Sequence, residues 1–378
     1  MRYAMIMAGG VGTRLWPVSR AETPKQLVPL IERPGGTGRE ALLTLASSRL
    51  GGLVDEDKRY ICTNESYRGL IKRHVPGFTD ERILGEPVGR DTVNAVGFAA
   101  AVLHKRDPEA VFAVLTADHI IRPDETFRSI IDVGFRLVEQ DPTRLVTFSI
   151  TPTYAATGFG YIERGDPLPN SDGLGYRVER FVEKPSAEKA QAYLEAGAFG
   201  WNAGMFVWKA STILDCLRRY KPESYEGLMT IAQAWGTDDQ RRVLDDVYPR
   251  LPKISVDYAI MEPAAREHLR ARGTEHEKSS VKVCTVEMDL EWLDVGSWPS
   301  YGETLQPLDE SGTRVSGRAI AHECTETLVV NTDDTHTVTV LGAEDLIVVH
   351  TREATLVMPR DRAQDLKTLH AKLPDALK

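Results

Sequence analysis

Between residues 2 and 150, short apolar runs alternate with stretches of helical length, and that alternation narrows the fold more than any single motif. Tyr3–Met7 reads as a strand that empties into the glycine loop Ala8–Gly12. Arg59–Thr63 and Arg82–Gly85 read as further strands, with helix-like sequence from Glu65 to His74 between them. Asp91–Lys105 opens on a capping Asp and continues in small and apolar helix formers. Val111–Leu115 is the unbroken apolar run of a buried parallel strand, Asp124–Glu139 is an amphipathic helix, and Arg144–Ile150 is strand again. Repeated βα units predict an α/β fold: a Rossmann-like, mixed but mainly parallel sheet flanked by helices, with ligands at the carboxyl ends of its strands. Beyond Gly160 the pattern changes, with Tyr176–Val182 alternating like an antiparallel strand, Ser186–Ala196 and Ala210–Tyr220 as helices, and Trp201–Trp208 as strand. From about Thr304 the segments Glu326–Asn331, Thr335–Leu341, Leu346–His350 and Thr355–Met358 read as short strands between polar or Gly turns. They predict a small β-rich domain whose turns stack as coils of a β-helix, closed by a helix over Asp361–Leu373. The expected division is a larger α/β domain over 1–300 and the β-rich domain over 301–378.

A chain of 378 residues can bury a core in each. With 46 Lys+Arg against 55 Asp+Glu the net charge is −9, so the broad positive field that binds nucleic acid or anionic lipid is missing. Neither is expected as a partner. The start of the sequence turns glycine-rich too early for a signal peptide, and no run approaches the ~20 apolar residues of a membrane span. The four cysteines, Cys62, Cys216, Cys284 and Cys324, lie far apart with no C-x-x-C and no His at ligand spacing. They read as free thiols of a reducing, cytoplasmic setting.

The loop Gly9-Gly10-Val11-Gly12-Thr13-Arg14 lets backbone N–H groups approach a polyphosphate, while Arg14 and, farther on, Lys25 supply positive charge. It is neither a Walker A loop nor a Rossmann fingerprint, because no Gly-Lys-Ser/Thr follows and Leu15 stands where a third glycine belongs. A lone glycine turn of this kind is also a common βα connection. Asp118 just past an apolar strand, and Asp294 in Trp292-Leu293-Asp294-Val295-Gly296, suit either an Asx turn or, together, one Mg²⁺ completed by phosphate and water oxygens. Glu183 and Lys184 point to opposite faces of a strand unless Pro185 ends the strand and turns Lys184. They suit a surface ion pair, or a sugar hydroxyl acceptor beside a phosphate-neutralising cation.

Taken in order, these blocks resemble the sugar-1-phosphate nucleotidylyltransferases. AGGVGTRLWPVSR (8–20) with PKQ (24–26) carries the signature, and its Trp-Pro and Ser-Arg make it similar to the mannose-1-phosphate guanylyltransferase branch. EPVGRDTVNA (86–95), TADH (116–119), PTYAATGFGYI (152–162), FVEKP (181–185), WNAGMF (201–206), SVDYAIME (255–262) and WLDVGSW (292–298) follow in the family's order. The resemblance implies a nucleotide-diphospho-sugar transferase fold and the reaction of mannose 1-phosphate with GTP to GDP-mannose and pyrophosphate. It implies that Gly9, Gly10, Gly12, Thr13, Glu86 and Arg90 meet the nucleotide, and that Arg14 and Lys25 carry the catalytic charge. Asp118 and Asp294 would hold Mg²⁺ (or Mn²⁺), and Gly160, Glu183, Lys184 and Asn202 would hold the sugar phosphate.

Glu86 is the candidate reader of guanine, because a carboxylate accepts from both N1–H and N2–H₂; the alternative is an acid capping a turn. RDTVN stands where the family often has RNTAP, Tyr154-Ala155-Ala156 replaces a Pro-Glu pair, and Phe159 replaces a Tyr. These departures bear on base and sugar specificity. His119 is left as a structural group, since a phosphate nucleophile needs no base. The residues after 300 are too few for the cupin isomerase fused to some relatives, so one activity is expected. The β-rich tail resembles a family region that often supports dimerisation or docks on the catalytic domain, and a homodimer is the expectation. A non-catalytic sensor on this fold would be expected to lack Arg14, Lys25, Asp118 or Asp294. All four are present.

Overall fold

The computed structural model describes residues 1–32, 38–278 and 280–378, and their contacts divide the chain into two units that are not contiguous in sequence. The first comprises Met1–Gly9, Ala46–Ala117 and Ile121–Trp292; the second comprises Gly10–Leu45, Asp118–Ile120 and Leu293–Lys378.

Nine strands form the sheet of the first unit: β1 (Arg2–Met7), β2 (Arg59–Asn64), β3 (Ile83–Glu86), β4 (Val111–Thr116), β5 (Arg144–Ile150), β6 (Tyr161–Pro167), β7 (Gly175–Val182), β8 (Phe199–Lys209) and β9 (Lys282–Glu287). Their order is β3-β2-β1-β4-β8-β5-β9-β7-β6. The pairings β1–β2, β1–β4, β2–β3 and β5–β9 are parallel, whereas β8 opposes β4 and β5, and β7 opposes β9 and β6. Only β7 and β8 therefore run against the rest, which is the mixed, mainly parallel sheet read from the sequence.

The helix α1 (Thr92–Arg106) shows why its composition is small and apolar. Every residue from Val93 to Leu103 is buried, and at Gly97 a Cβ would lie 2.5 Å from Leu228 and 2.7 Å from Leu217. Those leucines belong to α2 (Ala210–Tyr220) and α3 (Pro222–Ala234), so glycine permits a close helix approach that any side chain would block. Asp91 caps α1 by accepting the Thr92 N–H at 2.8 Å, as expected. It does so at φ +65 and ψ −179, a conformation that residues other than glycine rarely adopt.

In the second unit, β10 (Arg314–Ser316), β12 (Leu328–Asn331) and β14 (Leu346–His350) stack in parallel, with β15 (Thr355–Pro359) antiparallel at the end. A separate parallel ladder pairs β11 (Ala319–His322) with β13 (Val338–Leu341). Two parallel ladders built from successive turns are the stacked coils of a short β-helix. The strand expected over 335–341 is shorter than its pattern, because Asp333 accepts from the N–H and hydroxyl of Thr335 at 2.9 and 2.6 Å and makes a turn there. The closing helix likewise begins as 3-10 over Arg360–Asp365 and becomes α only over Leu366–Lys372.

The core of this unit joins Leu15 and Trp16, from just after the glycine loop, to Trp298, Val330, Ile347 and Leu366. All four cysteines are free and buried. Among the described residues no helix is long and apolar enough to cross a membrane.

Candidate active site

Two clusters of the residues singled out in the sequence are assembled, one in each unit. In the second unit Gly12 stands at φ +77 and its carbonyl accepts from Ser19 Oγ. A Cβ at Gly12 would lie 2.7 Å from Cβ of Lys25, so the glycine is what lets the Lys25 stem cross the loop. Lys25 is 8% exposed. Its Nζ pairs with Asp118 Oδ2 at 2.8 Å and donates to the Val295 carbonyl at 3.3 Å. Burial alone would raise the Asp118 carboxyl, but the charges of Lys25 and His119 and the hydrogen bond from Lys25 outweigh it and hold the group down at about 2. His119 Nε2 lies 3.7 Å from Asp118 Oδ1.

Across the same cluster, a Cβ at Gly296 would be 3.1 Å from Asp294 Oδ1 and 3.4 Å from Arg14 Nη2. The carboxylate and the guanidinium thus converge on a bare backbone. Arg14 donates to Gln364 Oε1 at 3.0 Å, and neither Arg14 nor Asp294 has an ion-pair partner among the described residues. Thr13 opens the short 3-10 turn Thr13–Leu15, and Gln26 Nε2 reaches the Gly10 carbonyl at 3.3 Å. Gly9 ends the first unit's N-terminal segment, with open space where its Cβ would be.

In the first unit Val182 ends β7 and Lys184 turns at φ +46, so the two consecutive side chains meet: Lys184 Nζ is 2.6 Å from Glu183 Oε1. Pro185 follows the turn, and the pair is half in water, with the Glu183 side chain 7% exposed and that of Lys184 55%. Gly160 lets two side chains pack against its bare backbone. A Cβ there would be 2.5 Å from Glu183 Oε2, 3.2 Å from Asn202 Cβ and 3.6 Å from Asn202 Nδ2. Asn202 lies on β8 where the register with β5 shifts before Phe206, and Gly204 at φ +66 makes the irregularity, a bulge that re-aims a side chain.

Asp257, whose block the sequence reading matched without giving the residue a role, completes this cluster by accepting from Asn202 Nδ2 at 2.8 Å. Burial, then the Glu183 charge, push its carboxyl up to about 7. Position 257 carried no local signal of that partnership, which spans 55 residues of chain.

Glu86 and Arg90 lie elsewhere in the first unit. Glu86 is 7% exposed and accepts the Tyr248 hydroxyl at 2.6 Å. Burial pushes its carboxyl up to about 7 against the hydrogen bonds from Tyr248 and the Arg90 backbone. Arg90 keeps a buried Nε with no hydrogen-bond partner among the described residues. Because Glu86 ionises near 4.5 when unfolded, the folded chain holds the extra proton between about pH 4.5 and 7, and stability falls as pH rises through that window. Replacing Glu86 by Gln keeps an acceptor for Tyr248 and removes the penalty. The variant should therefore gain on the parent between pH 5 and 8, by on the order of 3 kcal/mol at most. Paired urea melts at pH 5 and pH 8 check this; a difference that does not change with pH would contradict it.

Asp118 and Asp294 offer hard carboxylate oxygens, and among the described residues no group of three or more His, Cys, Asp or Glu could cage an ion. A low-pKa carboxylate already facing a cation, with a second carboxylate free of ion pairs, fits Mg²⁺. That ion takes one or two carboxylates and completes its shell with phosphate oxygens and water.

Comparisons with known proteins agree with the blocks read from the sequence. Residues 3–311 match the family model described as Nucleotidyl transferase, and residues 317–373 that of the MannoseP isomerase/GMP-like beta-helix domain. A mannose-1-phosphate guanylyltransferase of Klebsiella pneumoniae is 37% identical over 372 residues, covering 97% of this chain and 73% of that protein. One from Escherichia coli matches at the same identity and coverage. A crystal structure from Thermus thermophilus, described as a mannose-1-phosphate geranyltransferase, superposes with a TM-score of 0.81 at 30% identity over 98% of both chains.

Proposed function

The chain belongs to the nucleotidyl transferase family, in its mannose-1-phosphate guanylyltransferase branch, and from that premise we propose that it joins mannose 1-phosphate to GTP. A phosphate oxygen of the sugar phosphate attacks the α-phosphorus of GTP in line. The new P–O bond forms as the bond from the α-phosphorus to the oxygen bridging to the β-phosphorus breaks, and pyrophosphate leaves with that oxygen. The nucleophile is already an anion, so no side chain has to remove a proton. What the reaction asks of the protein is to hold two mutually repelling anions and to offset the charge that develops.

The observation that carries this reading is the Lys25–Asp118 pair beside the convergence of Arg14 and Asp294 at Gly296. Asp118 and Asp294 would hold Mg²⁺ or Mn²⁺, which when bound supplies positive charge to phosphate oxygens. Arg14, with no carboxylate partner among the described residues, forks onto phosphate oxygens, and Lys25 lies beside the same cluster. The backbone of Gly9, Gly10, Gly12 and Thr13 takes the triphosphate. Lys184 meets the phosphate of the sugar, while Glu183 and Asn202, packed beside Gly160, take its hydroxyls. Glu86, with one lone pair of Oε1 taken by Tyr248, accepts from the guanine donor edge with the rest, and Arg90 brings its unpartnered Nε to the nucleotide.

The test is pyrophosphate release with mannose 1-phosphate and Mg²⁺, offering GTP, ATP, UTP and dTTP in turn. A preference for GTP of on the order of 10²-fold or more is expected, as a site built around a donor edge gives. Equal turnover of ATP or UTP would remove the guanine reading of Glu86. Preference for glucose 1-phosphate would remove the sugar.

A further inference from the structure

Every polar atom of the Asn202 carboxamide but one is already committed. Its Oδ1 accepts from the buried Thr147 Oγ1 at 2.9 Å and from the Gly204 N–H at 3.2 Å, while Nδ2 donates to Asp257 Oδ1 at 2.8 Å. A flipped amide would set Nδ2 against the Gly204 N–H, donor facing donor, and, with Asp257 ionised, Oδ1 against its carboxylate oxygen, acceptor facing acceptor. The Gly204 N–H alone fixes the orientation, and it leaves one N–H of Nδ2, an atom 3.6 Å from where a Cβ of Gly160 would stand.

Asp257 is placed to do this by an unusual piece of helix. Asp257–Met261 winds as a π-turn, a feature found often at functional sites. The residue that follows it, Glu262, accepts the Glu183 N–H through Oε1 at 3.2 Å. The turn and the residue after it therefore hold the Asn202 side chain and the Glu183 backbone.

We infer that Asp257 is a positioning residue for sugar-phosphate recognition, fixing the Asn202 carboxamide beside Glu183 and Gly160 with one N–H left to donate. The inference deepens the reading given under Proposed function and rests on it. Asp257 touches no substrate in this account. It acts through Asn202, with Thr147 as the opposite jaw of the clamp.

Steady-state kinetics of the full chain with Asp257→Ala, Asp257→Asn and Thr147→Val test it, alongside melting of each variant. Asp257→Ala should raise KM for mannose 1-phosphate at least ~10-fold while KM for GTP stays within about twofold. Asp257→Asn keeps an acceptor oxygen and should return the sugar-phosphate KM to within about threefold of the parent. Thr147→Val should move the same KM in the same direction, and it decides the matter if Asp257→Ala fails to fold. Equal damage from Asp257→Asn and Asp257→Ala, a rise in both KM values together, or an unchanged sugar-phosphate KM in Thr147→Val would each overturn the inference. A parent chain that does not turn over mannose 1-phosphate would instead sink the functional reading, and the inference with it.

Discussion

Asp118→Asn should reduce pyrophosphate release at saturating Mg²⁺ by on the order of 10³-fold or more. The substitution keeps shape and removes charge, and the charge has two uses. It supplies one of the two carboxylates proposed to hold the metal, and it balances the ammonium of Lys25, whose side chain is 10% exposed. Without it, Lys25 retains the Val295 carbonyl as its partner among the described residues. The variant should therefore lose about 2 kcal/mol of stability, short of the cost for a wholly buried pair because Asp118 keeps 32% of its side chain in water. Adding Lys25→Met should restore most of that stability and none of the activity. Such a split would separate the structural share of the pair from its chemical share. Turnover by Asp118→Asn within tenfold of the parent would sink the assignment.

Gly12→Ala is the second substitution with a large expected effect, and it removes no functional group. The left-handed backbone at φ +77 disfavours any Cβ by about 1 kcal/mol. The greater consequence is steric, because the new methyl would sit 2.7, 2.8 and 2.9 Å from Cβ, Cγ and Cδ of Lys25. Lys25 must move, and displacement of a charged group by ~1 Å costs on the order of 10² in rate. Gly69→Ala is the control, since its Cβ meets nothing closer than Arg73 Nη1 at 3.9 Å and it lies on a helix. The control should be as active as the parent and at least as stable. A fully active Gly12→Ala would show that Lys25 need not hold its place.

Much of this architecture could be read along the chain wherever the signal was local. The apolar pentad at Val111–Leu115, the capping Asp91 and the alternation of Tyr176–Val182 each report a strand or helix through neighbours within a few residues. Lys184 shows the limit of such reading. Its direction hung on whether Pro185 would end the strand, and only the backbone at φ +46 decides it.

What escaped the sequence was nonlocal. Tyr248 meets Glu86 across 162 residues, and Asp257 meets Asn202 across 55. Neither partner has a pattern that announces the other. The three helices Pro222–Ala234, Gln240–Val247 and Glu262–Ala271 also went unread; the first and last each carry a Pro near the helix start, a position that tolerates it.

The unit that shares a core between Leu15, Trp16, Trp298 and Leu366 also has a history in time. A ribosome releases residues 10–45 early and reaches residue 293 only about 250 residues later, which at bacterial to eukaryotic elongation speeds is roughly 12–50 s. Throughout that interval Leu15, Trp16, Leu30 and Ile31 have no finished core to enter. The residues flanking the glycine loop thus leave the ribosome well before the segments that complete their core, and nascent chains expose an apolar stretch in the meantime. That core closes only once Trp298, Val330, Ile347 and Leu366 are present.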